Sequence, residues 1–156
     1  MERCVDTVAE LHESGQRVRL IIAGDGPCRA ALQRRAAGLP VTFLGFVPER
    51  GEVATLLATS DLSLAPGPHE TFGLAALEAL ASGTPVVVSR SSALPEIIRP
   101  SCGAAVADHA PSFAGAVSRL LAGPEQPRRA AARARAEDFP WPTAVTGMLQ
   151  ALRARW

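Results

Sequence analysis

The sequence predicts an α/β fold, with a parallel sheet that carries helices on both faces. Three observations predict this class. Short runs rich in Val, Leu and Ile alternate with helical segments along the chain, and several of these runs end at turns that contain Gly or Pro. Some runs are apolar throughout, as strands covered on both faces are. A length of 156 residues is typical of one domain with a sizeable core.

Each element has local signals. The helix 2–14 stops near Gly15, the helix 71–82 is closed by Gly83, and the helix 111–121 starts with a Pro that a first helical turn accepts. In chain order the sequence predicts helix 2–14, strand 18–23, helix 28–37, strand 41–47, helix 49–59, strand 61–65, helix 71–82, strand 85–89, a short helix 94–98, strand 103–106 and helices 111–121, 125–137 and 143–155.

The first predicted element is a helix, whereas a doubly wound sheet normally opens with the strand that becomes central. We expect that first strand to be absent here, and its place would be between the strands 18–23 and 61–65. Either these two strands close up against each other, or the sheet carries an exposed slot. We expect an exposed apolar edge to promote association.

Composition excludes several functional classes. A net charge of +1 gives no general support for nucleic-acid binding, and all 16 basic residues are Arg. Without Lys the chain has neither a Walker-type phosphate loop nor a lysine Schiff base. Cys4, Cys28 and Cys102 show no metal-ligand spacing, so we expect no metal site and reduced thiols in the cytoplasm. No run is long enough to span a membrane, and the N-terminus does not resemble a signal peptide.

The segment from Glu70 to Glu78 is the main candidate for a functional site. Between Phe72 and Ala81 the only charged residue is Glu78, so we expect every face of this helix to be buried. A buried carboxylate is costly unless it is paired, and ligand hydroxyls are one possible pairing. Glu70 just precedes the predicted helix, where free backbone N–H groups favour a phosphate or polar ligand.

The spacing of these two glutamates fits an extended ligand. If both were helical, eight residues would separate them by about 80° beyond two turns and by about 12 Å along the axis. That separation suits two ends of one ligand better than a shared acid–base dyad. A chance pair in a helix is the alternative interpretation.

Two loops after predicted strands are weaker candidates. Gly24-Asp25-Gly26-Pro27 lacks the third Gly of a dinucleotide fingerprint, since position 29 is Arg. It is either a tight turn or a ligand contact. The loop with Phe46 and Val47 follows the next strand, where ligands bind in open sheets, or it is a simple connection.

The C-terminal segment 119–156 is basic, with seven Arg against three acidic residues. A solvated helical face is the plain interpretation. Contact with anionic lipid or with a missing partner domain is the functional one.

Taken in order, six motifs resemble one known family. Together they resemble the C-terminal half of group 1 (family 4) retaining glycosyltransferases of the GT-B fold. The residue sequence around Glu70 looks most like that of actinobacterial mannosyltransferases that use GDP-mannose. The resemblance covers nearly the whole chain. The motifs are Gly24-Asp25-Gly26-Pro27, Phe43-Leu44-Gly45-Phe46-Val47, 61–66, Glu70-Thr71-Phe72-Gly73-Leu74 through Glu78, Gly83-Thr84-Pro85-Val86-Val87 and Pro95-Glu96-Ile97-Ile98.

The resemblance implies a Rossmann-like domain over 1–156 that binds a nucleotide-diphosphate sugar, favouring GDP-mannose, with no cofactor and no metal. Glu70 would be catalytic and hold the sugar hydroxyls, and Glu78 would bind the ribose. The other implied donor-binding residues are Thr71, Phe72, Gly73 and Leu74 beside the sugar and diphosphate, Gly24, and Phe46 and Val47 beside the base.

Two family features are missing from this sequence. The Arg and Lys that follow the family's first strand and neutralise the diphosphate are not found, and neither is the N-terminal acceptor domain. We therefore expect a fragment, or half of a split enzyme, that is poorly stable and inactive alone. The complete enzyme would transfer a hexose with retention to a lipid or saccharide acceptor, in the cytoplasm or at the inner membrane face.

The alternatives are a nucleotide-sugar epimerase of the same fold and a non-catalytic nucleotide-binding module.

Overall fold

The computed structural model describes residues 1–153 and has the predicted α/β architecture. Helices and strands alternate through most of the chain. They are α1 (Glu2–Glu13), β1 (Leu20–Ala23), α2 (Arg29–Arg35), β2 (Val41–Gly45), α3 (Arg50–Thr59), β3 (Ser63–Ala65), α4 (Leu74–Ala81), β4 (Val86–Ser89), a 3₁₀ turn (Leu94–Glu96), β5 (Gly103–Val106), α5 (Ala110–Ala122), α6 (Glu125–Glu137) and α7 (Trp141–Arg153).

The predicted elements are all found, with shifted ends. The second strand stops at Gly45 and not at Val47, because Gly45 has φ +77°, a left-handed conformation that ends an extended run. The last helix begins at Trp141, two residues early, and its predicted end at Arg155 lies outside the described residues.

The strands form two separate sheets. β1 pairs with β2 in parallel, and β3, β4 and β5 form a parallel sheet with β4 in the centre. The strands 18–23 and 61–65 therefore do not close up, and the second of the two expected outcomes is found. A cavity of about 610 Å³ lies between β1 and β3, and we call it the slot.

Helices cover both faces of the larger sheet. One core cluster joins β4 to α4, the 3₁₀ turn and α6, and includes Leu80, Val86 and Leu94. A second joins the other face to α1 and α5 through Leu11, Val87 and Phe113 and their neighbours.

The smaller sheet has its own small core, in which Val5 of α1 meets Ile22, Leu32 and Ala36. Because Val5 and Leu11 lie on the same helix, α1 packs against both sheets.

Candidate functional site

Glu70 lies in the loop after β3, and its carboxylate organises that loop. Oε1 accepts hydrogen bonds from the backbone N–H groups of Thr71 and Gly73, both at 3.1 Å. The carbonyl of Glu70 accepts from the N–H of Ala93 at 3.0 Å, which ties the loop to the segment after β4. Within the described residues Oε2 of Glu70 has no partner, so one oxygen of a fixed, exposed carboxylate is available to a ligand.

Gly73 is the residue that makes this loop possible. It has φ +77° and is buried, and a Cβ there would lie 2.0 Å from Cδ2 of Leu94. Leu94 is itself 1% exposed and cannot easily move away. The loop therefore packs directly on the 3₁₀ turn, and only Gly fits at position 73.

The predicted helix 71–82 begins three residues late, at Leu74. The left-handed Gly73 cannot belong to the helix, so Thr71 and Phe72 stay in the loop. Glu70 is thus four residues from the first helical position, and the geometry expected for two helical glutamates does not apply. The N–H groups of Leu74 and Ala75 lie in the first turn, where an α-helix offers no internal acceptors.

The expectation that α4 is buried all round is wrong. Ala76, Ala79 and Leu80 face the core, but Leu74 is 55% exposed and Glu78 is also exposed. Ala75 and Glu78 line the slot. An apolar sequence cannot reveal which of its faces meets a cavity, and this explains the error. Because Glu78 is exposed, its carboxylate needs no ligand to compensate for burial. Its predicted role in ligand binding therefore depends only on its position in the lining of the slot.

Gly24, Phe46 and Val47 follow the two strands of the smaller sheet. Gly24 has φ +119° and donates its N–H to the carbonyl of Gly45 at 2.7 Å, so its glycine geometry serves a turn. Phe46 is 77% exposed, and Val47 is half-buried at a surface depression beside α3. The predicted site residues thus fall into two groups, one after each sheet's strands.

Sequence reasoning missed a polar cluster that contacts the loop after β3 through the carbonyl of Pro66. Arg3 of α1 donates to the carbonyl of Pro66, lies 3.9 Å from Asp108 and faces the ring of Phe113. The Ser89 hydroxyl donates to Asp108 at 2.5 Å, and this bond is the main reason why the pKa of Asp108 is lowered. These residues are far apart in sequence, so no local pattern could identify them.

The arginines of α6 are used within the fold. Arg129 donates to the carbonyls of Ala58 and Ser60, Arg133 to Ala81, and Arg135 to Glu96 and Ile97. They close the carboxyl ends of α3, α4 and the 3₁₀ turn, where free carbonyls need donors. These bonds account for three of the seven arginines of the basic segment, and contact with anionic lipid or with a partner domain stays a prediction.

Among residues 1–153, no helix is long and apolar enough to cross a membrane. In the same range, no three His, Cys, Asp or Glu side chains lie together as a metal site would require. Metal independence stays a prediction.

The comparison with protein families gives one match, which covers residues 1–123 and is described as Glycosyl transferases group 1. A similar protein is the GDP-mannose-dependent α-(1-6)-phosphatidylinositol dimannoside mannosyltransferase of Mycobacterium tuberculosis. It is 53% identical over 153 residues, which are 98% of this chain and 40% of the relative. The D-inositol 3-phosphate glycosyltransferase of Rhodococcus erythropolis is 34% identical over 89% of this chain and 34% of its own length. This chain therefore spans well under half the length of both relatives.

Solved structures of GT-B glycosyltransferases share the fold. Sucrose-phosphate synthase of Thermosynechococcus elongatus aligns with a TM-score of 0.79 and 25% identity, over 98% of this chain and 42% of that one. A lipopolysaccharide outer core galactosyltransferase aligns with a TM-score of 0.82 and 20% identity, over 99% and 45%. The predicted fold class is confirmed.

Proposed function

This chain belongs to the group 1 glycosyltransferases, as its motifs indicated, and from that premise we propose that residues 1–156 form the nucleotide-sugar-binding domain of a hexosyltransferase. The reaction moves a hexose from a nucleoside diphosphate to a lipid or saccharide acceptor with retention. Mannose from GDP-mannose is the donor we favour, because the mycobacterial relative named for that donor is 53% identical.

The observation that carries this proposal is the Glu70 carboxylate. Oε1 is held by two backbone N–H groups, which leaves Oε2 fixed and open beside the start of α4. A preorganised acceptor of this kind suits a sugar hydroxyl. The free N–H groups of the first turn and the positive end of the helix suit a diphosphate.

Glu78 lies one turn further along α4, exposed and facing the slot. We assign it to the ribose hydroxyls, with the base near Phe46 and Val47. In this arrangement the two groups of site residues hold two ends of one donor.

The acceptor side is proposed to come from a second domain, equivalent to part of the length that the relatives have beyond this chain. The mycobacterial relative is named for a phosphatidylinositol dimannoside. A lipid acceptor of that kind would place the complete enzyme in the cytoplasm at the inner face of the membrane.

Calorimetry with GDP-mannose, GDP and UDP tests donor binding by this chain. We expect GDP to bind more tightly than UDP. Glu78→Gln should weaken GDP binding about tenfold, as the loss of a charged hydrogen bond does. Glu70→Gln should leave GDP affinity within about twofold and weaken GDP-mannose binding about tenfold, because it acts on the sugar. The exposed Glu13→Gln on α1 is the control. Equal losses for GDP and GDP-mannose in Glu70→Gln would contradict its assignment.

A further inference from the structure

The Glu70 loop, residues 66–73, is attached to distant parts of the chain at two points. Arg3 of α1 donates to the carbonyl of Pro66, and the N–H of Ala93 donates to the carbonyl of Glu70 at 3.0 Å. Within the part of the chain that the structure describes, these are the loop's two hydrogen bonds to residues more than four positions away. The Glu70 carboxylate is held by N–H groups of the same loop, so the direction of Oε2 follows the position of the loop.

The first attachment comes from an arginine that is itself held in place. The guanidinium of Arg3 lies 5.8 Å from the centre of the ring of Phe113, which is buried in the core, and 3.9 Å from the carboxylate of Asp108. The Arg3 side chain is 23% exposed. A planar guanidinium that is fixed by a ring and a carboxylate loses little further freedom when it also binds a carbonyl. The bond to Pro66 is therefore a fixed anchor for the loop.

The second attachment is connected to the same cluster through Asp108. Its carboxylate accepts the Ser89 hydroxyl at 2.5 Å, and the oxygen of that hydroxyl accepts the N–H of Ser91 at 3.1 Å. The pKa of Asp108 is lowered chiefly by the bond from Ser89, so the group is a charged acceptor at neutral pH. These bonds fix the start of the segment that follows β4, and Ala93 lies in that segment.

We propose that Arg3 and Asp108 are positioning residues for Glu70, acting through the two attachments of its loop. Arg3 holds the Pro66 side and Asp108 holds the Ala93 side, and their side chains lie 3.9 Å apart, so the two attachments support each other. The effect on the donor rests on the proposed function. A loop held at one point only would misplace Oε2 against the sugar and leave the nucleotide contacts intact.

Amide hydrogen exchange without any ligand tests the attachment itself. The N–H of Gly73 donates to Oε1 of Glu70, and in Arg3→Ala it should exchange at least about tenfold faster, because the loop opens more easily once a charged hydrogen bond is lost. The N–H of Val87, in the fully buried central strand, reports global unfolding and should keep its rate. An unchanged rate at Gly73, or an equal acceleration at Val87, would overturn the proposal.

Arg35→Ala is the matched control. Arg35 of α2 donates to the carboxylate of Asp6, so it attaches α1 through an ion pair that does not involve the Glu70 loop. This variant also removes one arginine that binds α1 or lies on it, and it should leave the Gly73 exchange rate unchanged. Equal acceleration in both variants would mean that a displaced α1 causes the effect, and the proposal would be wrong.

A double-mutant cycle tests whether Arg3 and Asp108 act together. Asp108→Asn alone should accelerate exchange at Gly73 and at Ala93, whose N–H donates to the carbonyl of Glu70. The double variant should exchange more slowly than the product of the two single effects predicts, because residues in one network do not act independently. Effects that simply multiply would show two separate roles and would contradict the shared action.

Calorimetry separates this proposal from the function on which it rests. Arg3→Ala should weaken GDP-mannose binding about fivefold and GDP binding by less than about twofold, because only the sugar depends on the position of Glu70. Arg35→Ala should change neither affinity. Equal losses for both ligands, or no loss for either, would mean that the attachment does not position Glu70. A wild-type chain that binds neither ligand would contradict the proposed function, and the exchange rates would still decide whether Arg3 and Asp108 fix the loop.

Discussion

The two sheets of this domain differ in how completely they are built. In the larger sheet every residue of β4 is buried, and cores on both faces surround it. In β1 only Ile22 is buried, and the core of the smaller sheet has four buried members. A pair of strands by itself is marginally stable, so the smaller sheet depends on its packing against α1 and α2.

The contrast bears on function. Glu70, Gly73 and Leu94 lie in segments that follow strands of the larger sheet. Hydrogen bonds to the Glu70 carboxylate and the packing of Gly73 against Leu94 fix the Glu70 loop. Gly24 and Phe46 follow the strands of the smaller sheet. Gly24 has φ +119°, and a Cβ added there would have no atom within 4 Å. The loop that carries Glu70 is therefore more tightly packed than the turn at Gly24.

One pair of core substitutions tests the contrast with the largest expected effect. Leu80 is 0% exposed in the larger core and Leu32 is 7% exposed in the smaller one. Leu80→Ala should lower the free energy of unfolding by about 4 kcal/mol and Leu32→Ala by about 2 kcal/mol, because a less enclosed site collapses more easily. Urea denaturation followed by circular dichroism measures both. Equal losses would mean that the two cores are equally well built.

Two glycines give the next comparison. Gly73→Ala places a Cβ against buried Leu94 at a positive φ, whereas Gly24→Ala meets no atom within 4 Å. We expect a loss of about 3 kcal/mol at position 73 and about 1 kcal/mol, from backbone strain alone, at position 24. Gly67→Ala, with open space and no positive φ, is the control. A tolerated Gly73→Ala would disprove the tight packing of the Glu70 loop.

Cysteine alkylation compares the two regions without mutation. Burial raises the pKa of the Cys4 thiol to about 11, and Cys4 lines the slot, whereas Cys102 is buried in the larger core and Cys28 is exposed. At pH 8 iodoacetamide should modify Cys28 first. In low urea Cys4 should react at least about tenfold faster than Cys102, since the region around the slot opens at lower free energy. Identical rates for Cys4 and Cys102 would indicate a single cooperative unit.

Sequence reasoning succeeded where the signal is local. The apolar run of β4 and the alternation of strands with helices could both be identified from local pattern, and the roles of Glu70 and Glu78 stay predictions. It failed where distant residues decide. The start of α4 depends on the packing of Gly73 against Leu94. Three arginines of α6, Arg129, Arg133 and Arg135, donate to carbonyls that are more than 35 residues away. Exposure of Glu78 follows from the slot, which periodicity cannot show.

The smallest expected effect is the change in stability at acidic pH that comes from Asp108, whose carboxylate lies next to Arg3 of α1. The Ser89 hydroxyl, with a smaller contribution from Arg3, lowers the pKa of Asp108 below its usual value near 3.8. The carboxylate is therefore favoured more in the folded state than in the unfolded chain. Its contribution to stability is present above about pH 4 and is lost as the pH falls through the lower folded pKa.

Ser89→Ala removes the main cause of this shift. The urea midpoint of the wild type should fall between pH 5 and pH 2.5 by a small amount that Ser89→Ala and Asp108→Asn both reduce, whereas Glu13→Gln keeps the full dependence. NMR titration of the Asp108 carboxyl group provides the independent measurement and should show its pKa rising in Ser89→Ala. An unchanged pKa in that variant would show that the 2.5 Å hydrogen bond from Ser89 is not the main reason why the pKa of Asp108 is lowered.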